Sequence, residues 1–453
     1  MRKLFSMIAV VLLLVFCSAC GDTTTTDSSI PTIHTGTSSS QSASSSEDTS
    51  TVATVTSMST LTDAAVTSMS TSSSHTRTTT STTTVSTTTP KLDKQWYTQG
   101  DVQITKAEVD AVMRQTYVKP KNVIVMIADG MGPNDIIITE KYSEECFGFG
   151  LLLNQFKNHG KAITNNDNGG VTDSAASATA LATGVKTSNE KVGMTRDGIV
   201  LKNVSEIARE QGKKVGIVTN DQITGATPSG YTVHAHSRES TDILANSFVD
   251  FAPDVLIGQN FANFIINLDA ERQDKFKNNF LTATTIPLMA TVLDRDLTGE
   301  KPLIGFFNSD LLGDANNMLA QCTEIALNRL DNEKGFFLMI EGAGTDKAGH
   351  QNDIFAKMSN VITFERAIAV VLKFMKNNPD TLLLITSDHE CGGVQLPAKG
   401  EELTDALFTS TSHTSKNVRV FALGYGTEYF RGKTVDNTDI GKFTISAVKG
   451  ELS

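Results

Sequence analysis

Residues 122–132 read N-V-I-V-M-I-A-D-G-M-G. An apolar run without alternation stops at an acid followed by glycine. A continuous apolar run of this length suits a strand buried on both faces of a sheet. Residues 214–219, 335–340, 381–386 and 418–423 have the same character. Helical stretches lie between such runs, at 204–211, 316–330 and 353–377. This order predicts an α/β fold, a large mostly parallel sheet with helices on both faces.

The residues that follow the strands carry the functional signal. The first run ends in Asp129-Gly130, another in Glu341-Gly342 and a third in Asp388-His389. In open α/β sheets, ligands collect at the carboxyl ends of strands. One acid after one strand carries no weight, because Asp and Glu often begin loops. Three such endings, two with glycine for close backbone approach, point to one shared edge.

Residues 172–187 read T-D-S-A-A-S-A-T-A-L-A-T-G-V-K-T. If this run is helical, Ser174 lies in its first turn, where free N–H groups and the helix dipole favour negative charge. That placement suits a serine oxygen that attacks as an alkoxide and then carries a phosphoryl group. A buried small-residue helix with an Asp/Ser cap fits this segment equally well. Asp346 and His350 are four residues apart, on one face of a helical turn. His413 lies in S-H-T-S, Thr227 precedes Pro228, and Arg238 follows eleven residues later. Singly, these read as a salt-linked turn, a solvated imidazole, a turn residue and a surface charge. Jointly they supply a nucleophile, two mixed N/O zinc sites, an all-oxygen site and a guanidinium.

The 453-residue chain carries a formal charge of −11. That balance argues against nucleic acid or an anionic membrane surface as the main partner. It does not exclude a phosphorylated substrate, because metal ions reverse the local field. At the start, Arg2 and Lys3 precede a short apolar run and then Cys17-Ser18-Ala19-Cys20-Gly21. Residues 1–20 are therefore expected to be a lipoprotein-type signal peptide, too short to span a membrane comfortably. The Ser18-Ala19-Cys20 ending resembles a bacterial lipobox, with Cys20 as the lipidated residue. A plain signal cut near Ala19 and an uncleaved anchor are the alternatives. Residues 21–90 are nearly all Ser and Thr. Such a segment cannot bury enough surface to offset its ordering entropy, so a disordered stalk is expected. The folded part is expected over 91–453, at the outer face of a bacterial cell membrane. Cys146, Cys322 and Cys391 have unrelated spacings and are expected to be free and structural.

Taken together, the chain resembles the alkaline phosphatases. The resemblance rests on the 122–132 and 172–187 stretches, A-T-P-S-G-Y at 226, H-S-R at 236 and F-F-L-M-I-E-G-A-G-T-D-K-A-G-H at 336. S-D-H-E-C-G-G at 387, S-H-T at 412 and V-D-N-T-D-I at 435 complete it, in the family's order. It implies hydrolysis of phosphate monoesters with Ser174 as the nucleophile that becomes phosphoserine. It also implies Asp346, His350 and His413 around one zinc, and Asp129, Asp388 and His389 around a second. A magnesium would be held by Asp129, Thr227 and Glu341, and Arg238 would clamp phosphate. The family commonly forms homodimers, so a homodimer is expected.

There are departures. Gly225 stands two residues before Thr227, where relatives often carry Asp or His, which removes a side chain near the magnesium site. Lys347 falls where some relatives have His, and residues 242–313 match poorly. Two other functions fit parts of the pattern, a phosphodiesterase or sulfatase on a related metal core and an inactive fold displayed as a binding module. The second predicts decay in the ligand set, and none is visible.

Overall fold

The computed structural model describes residues 104–148, 150–296, 299–307 and 318–452. The expected leader, Cys20, the Ser/Thr-rich segment and the start near Lys91 lie outside the described residues. All described residues belong to one unit, Val85–Ser453.

Twelve strands are described: β1 Asn122–Ala128, β2 Asn158–Ile163, β3 Lys214–Gln222, β4 Val255–Gln259, β5 Leu281–Ala283, β6 Leu303–Phe306, β7 Phe336–Gly342, β8 Thr381–Thr386, β9 Glu390–Cys391, β10 His413–Thr414, β11 Val418–Leu423 and β12 Thr434–Asp436. Ten of them form one sheet in the order β12-β2-β11-β8-β1-β7-β3-β4-β6-β5, and β9 pairs with β10 in a separate ribbon. Every pairing in the large sheet is parallel except those of β11, which runs against both β8 and β2. The expected fold class is therefore observed.

The lack of alternation in β1 has a direct cause. Val123, Val125 and Ile127 face one hydrophobic core, while Ile124, Met126 and Ala128 face the other. Side chains alternate across a strand, so a strand between two dry layers must be apolar at every position. Long helix Ile354–Asn377 packs in the core faced by Ile124, Met126 and Ala128, through Val361, Phe364, Ile368 and Leu372. Helix Ser174–Thr183 packs in the core faced by Val123, Val125 and Ile127, through Ala175, Ala178 and Leu181. The helices thus lie on opposite faces, and the edge between them is where β8, β1, β7 and β3 end.

Candidate active site

Neighbouring strands bring the acids together. Ile127 of β1 sits opposite Glu341 of β7 and Thr386 of β8, and Thr219 of β3 sits opposite Glu341. Asp129 and Asp388 follow within two residues of those positions. Glu341 is itself the penultimate residue of β7 rather than a loop residue. Asp346 and His350 project from helix Gly344–Gln351, as their spacing predicts. Gly130 has φ +72°, and an added Cβ there would stand 2.5 Å from the Asp346 Cα. Only glycine lets these two segments approach so closely. The Gly130 N–H donates to Asp388 Oδ1 at 3.1 Å, tying the β1 and β8 ends to each other.

Ser174 is the first residue of its helix, and Asp173 is the N-cap, accepting from the Ala176 N–H at 2.9 Å. The cap also explains the Asp-Ser order, since it satisfies one of the free N–H groups of the first turn. Ser174 Oγ lies 3.2 Å from His389 Nε2. Arg238 Nη1 donates to Asp173 Oδ2 at 3.3 Å, which brings the guanidinium beside the serine. A cavity of about 470 Å³ is lined by Thr172, Ser174, Arg238, Asp346, His350 and His413, among others.

The histidines are held with one face free. His350 Nδ1 donates to the Thr411 carbonyl at 2.7 Å, and His413 Nδ1 donates to the Thr172 carbonyl at 2.9 Å. In the neutral rings both Nε2 atoms therefore carry lone pairs, and they lie 3.2 Å apart. Each also lies 3.4 Å from Asp346 Oδ1. Two lone pairs and a carboxylate oxygen at such distances repel unless a proton or a metal cation sits among them, and, against the effect of burial, the contact with Asp346 raises the His413 pKa. The second group centres on His389, whose Nε2 is 3.2 Å from Asp388 Oδ2 and 3.5 Å from Asp129 Oδ1. Burial holds the His389 pKa below its ordinary value, which favours the neutral, ligating form.

Unsatisfied atoms coincide with this cluster. Asp129 Oδ1, Asp346 Oδ1, Asp388 Oδ2, His389 Nδ1 and Thr227 Oγ1 are buried without a hydrogen-bond partner. Burial of such groups is costly unless something compensates. Burial first, then the charges of Asp388, Asp346 and Glu341, drive the Asp129 pKa well above its usual range. Asp346 goes the other way: burial works to raise it, but the His413, His389 and His350 rings hold it below the ordinary carboxylate value. The donor set, carboxylate oxygens with imidazole nitrogens, fits zinc-like ions. Asp346 stands between the two groups, within 4.8 Å of ligand atoms in both.

The third group is all oxygen. Glu341 accepts from the Thr219 hydroxyl, and its pKa is pushed up to about 7 by burial and by Asp221. The Thr227 hydroxyl lies near enough to lower that pKa but forms no hydrogen bond that fixes it. Gly225 contributes no side chain here. Instead Asp221 forms an ion pair with Lys347 at this edge.

Asp221 and Lys357 carry no signal in the sequence, and Cys391, next to the candidate ligands in S-D-H-E-C-G-G, is not needed there to explain the site. Cys391 falls among Asp346, His350 and His413. Asp221 lies at the far end of β3, beyond the expected strand limit. Lys357 is fully buried and donates to the carbonyls of Gly130, Thr345 and Cys391 at 3.0–3.1 Å. A lysine in a helix ordinarily reads as solvated, so only the fold shows that this one ties three segments of the site together.

Fold and site together define a hydrolase-like centre, a serine at a helix N-terminus facing clustered cation ligands. The family model for alkaline phosphatase matches residues 120–260 and 294–404. Alkaline phosphatase 4 of Bacillus subtilis (strain 168) is 33% identical over 331 residues, covering 66% of this chain and 68% of that one. Alkaline phosphatase of Schizosaccharomyces pombe is 33% identical over 307 residues, covering 61% of this chain and 57% of that one. The solved alkaline phosphatase of the Antarctic bacterium TAB5 superposes with a TM-score of 0.64 at 30% identity, covering 74% of this chain and 99% of that one. A variant of the TAB5 enzyme has Mg bound in its M3 site. The chain belongs to the alkaline phosphatase family, whose members are phosphoric monoester hydrolases.

Proposed function

We propose that this protein hydrolyses phosphate monoesters through a phosphoserine at Ser174. The observation that carries the reading is Ser174 Oγ at 3.2 Å from His389 Nε2, beside carboxylate oxygens that lack partners. Asp346, His350 and His413 would hold one zinc, Asp129, Asp388 and His389 a second, and Asp129, Thr227 and Glu341 a magnesium. Bound there, the cations would neutralise the substrate dianion and lower the pKa of bound water toward about 7. Arg238 grips non-bridging phosphate oxygens with its planar fork, and Asp173 keeps the fork aimed. The Ser174 oxygen, its charge favoured by the helix N-terminus, attacks phosphorus as the alkoxide leaves and takes up a proton. Water then cleaves the new P–O bond, restores the serine proton and releases inorganic phosphate.

Hydrolysis of a simple aryl phosphate tests this. Ser174→Ala is expected to lower kcat by about 10³-fold or more, as loss of an activated nucleophile does in other hydrolases. Full activity in that variant would exclude the covalent route.

The same reading places the enzyme at the outer face of a bacterial cell membrane, anchored by lipid on Cys20 and raised by the Ser/Thr-rich segment, as a homodimer. The leader pattern at 1–20 and the composition of 21–90 motivate the anchor, and the resemblance to a commonly dimeric family motivates the homodimer. Among the described residues, no helix is long and apolar enough to cross a membrane. Cell fractionation tests the anchor. Cys20→Ser should move the protein out of the membrane fraction, and an unchanged distribution would refute lipidation at that residue. Sedimentation of the purified enzyme reads the oligomer, and a monomer would refute the homodimer.

A further inference from the structure

We propose that Cys391 is a fourth protein ligand, through sulfur, to the cation held by Asp346, His350 and His413. The inference rests on the metal reading above and adds a donor to it.

The placement comes from three backbone relations. Cys391 and His413 are directly opposed in the antiparallel β9–β10 pair. Opposed residues in such a pair project from the same face, so the thiol and the imidazole point the same way. Gly349, on the helix that carries Asp346 and His350, faces the cysteine. An added Cβ at Gly349 would stand 2.9 Å from Cys391 Sγ and 3.0 Å from its Cβ and carbonyl. The absence of a side chain there lets the sulfur settle against the helix between its two ligand residues. Finally, the Cys391 N–H donates to the Gly130 carbonyl at 3.1 Å, and its carbonyl accepts from Lys357 at 3.0 Å. The residue is pinned at both backbone ends, with an inaccessible side chain.

The outcome is a set of four potential donor atoms, one each from Asp346, His350, Cys391 and His413, all within 4.8 Å of one another. One oxygen, two nitrogens and one sulfur match the ligand chemistry of zinc, and sulfur adds preference for softer ions. Among the described residues, no disulfide competes for the thiol. Without a cation the group is a thiol, because burial and the neighbouring Asp346 charge push its pKa up. Coordination replaces the S–H proton, which passes to buffer, with the S–metal bond. Four protein donors would close a tetrahedral site, so an incoming oxygen must either enter as a fifth ligand or displace one. That sets this centre apart from a three-ligand site with a standing open position.

Cobalt(II) reports the sulfur directly. The full chain would be stripped with chelator and titrated with cobalt(II) while the absorption spectrum is recorded. The expected result is visible ligand-field bands together with a near-ultraviolet sulfur-to-cobalt band. Cys391→Ser and Cys391→Ala should each abolish the ultraviolet band and keep the visible ones. Visible bands without the ultraviolet band in the unaltered chain would overturn the sulfur ligand and leave the metal reading standing. An ultraviolet band that survives in Cys391→Ser would assign it to another cysteine and overturn the proposal in the same way. No cobalt bands in the unaltered chain would overturn both. Should the variants fail to fold, X-ray absorption at the zinc edge of the unaltered enzyme decides, since a sulfur shell near about 2.3 Å must be present. Zinc affinity alone does not discriminate, because losing only the thiol's contact with Asp346 would also weaken binding by roughly 10- to 100-fold.

Discussion

Arg238 reaches the site from a loop, and its neighbours decide where it points. Its backbone N–H donates to the Glu190 carbonyl at 2.9 Å, and the Glu190 N–H donates to Asp173 Oδ2 at 2.9 Å. Glu190 itself has φ +70°, a conformation that non-glycine residues adopt only when held. Asp173 therefore caps the serine helix, fixes this loop and meets the guanidinium. Hydrogen bonds to charged groups each contribute about 1.5–3 kcal/mol, so Arg238→Ala is expected to raise KM and weaken inhibition by inorganic phosphate, each by about 10- to 100-fold. Steady-state kinetics with added phosphate measure both. A phosphate inhibition constant unchanged from that of the parent would remove Arg238 from the binding site.

The serine helix shows why its sequence is so poor in large side chains. All ten residues of Ser174–Thr183 are buried. Helix Asn437–Val448 crosses it through Gly441, where an added Cβ would stand 2.7 Å from the Ala180 carbonyl and 2.8 Å from that of Leu181. Ala in place of Gly within a helix ordinarily gains up to about 1 kcal/mol. Here backbone atoms stand in the way and cannot rotate aside, so Gly441→Ala should instead destabilise by about 1–3 kcal/mol. Denaturant unfolding supplies the sign, and a stabilised variant would show that the helices do not pack this closely. The run at 172–187 was readable because such packing demands Ala, Ser and Thr throughout. Likewise β1, β7 and β8 were readable because both of their faces meet dry cores. The direction of β11 was not, since its apolar run looks the same whichever way it lies. β2 also escaped, because its N-H-G-K-A-I sequence is only partly buried near the sheet edge. The strand-end acids were legible from position alone. Lys357 and Asp221 were not, because each acts through residues distant in sequence; Cys391 and Lys347 stood beside candidate ligands, but only their contacts show what they meet.

At the scale of the whole molecule, the cluster is a store of repulsion that bound cations would relieve. Asp129, Glu341 and Asp388 are all buried and mutually close, and among the described residues no lysine or arginine neutralises all three. Removing metal with chelator should abolish monoesterase activity and lower the thermal midpoint, and the loss should depend on pH. Without cations, Glu341 has a folded pKa of about 7 against an ordinary 4.5, because burial and Asp221 oppose its charge. A carboxyl whose pKa is raised by folding holds its proton in the native state while the unfolded chain has released it. Its contribution is therefore fully present below about pH 4.5 and is lost as pH climbs through about 7, a change on the order of 3 kcal/mol. Asp129 shifts in the same direction. Cations bind the ionised forms, so the loaded protein escapes this penalty. Calorimetry with and without chelator should thus show a gap in thermal midpoint that widens from about pH 5 to about pH 8. A gap that stays constant or narrows over that range would mean the buried acids do not face a bound cation.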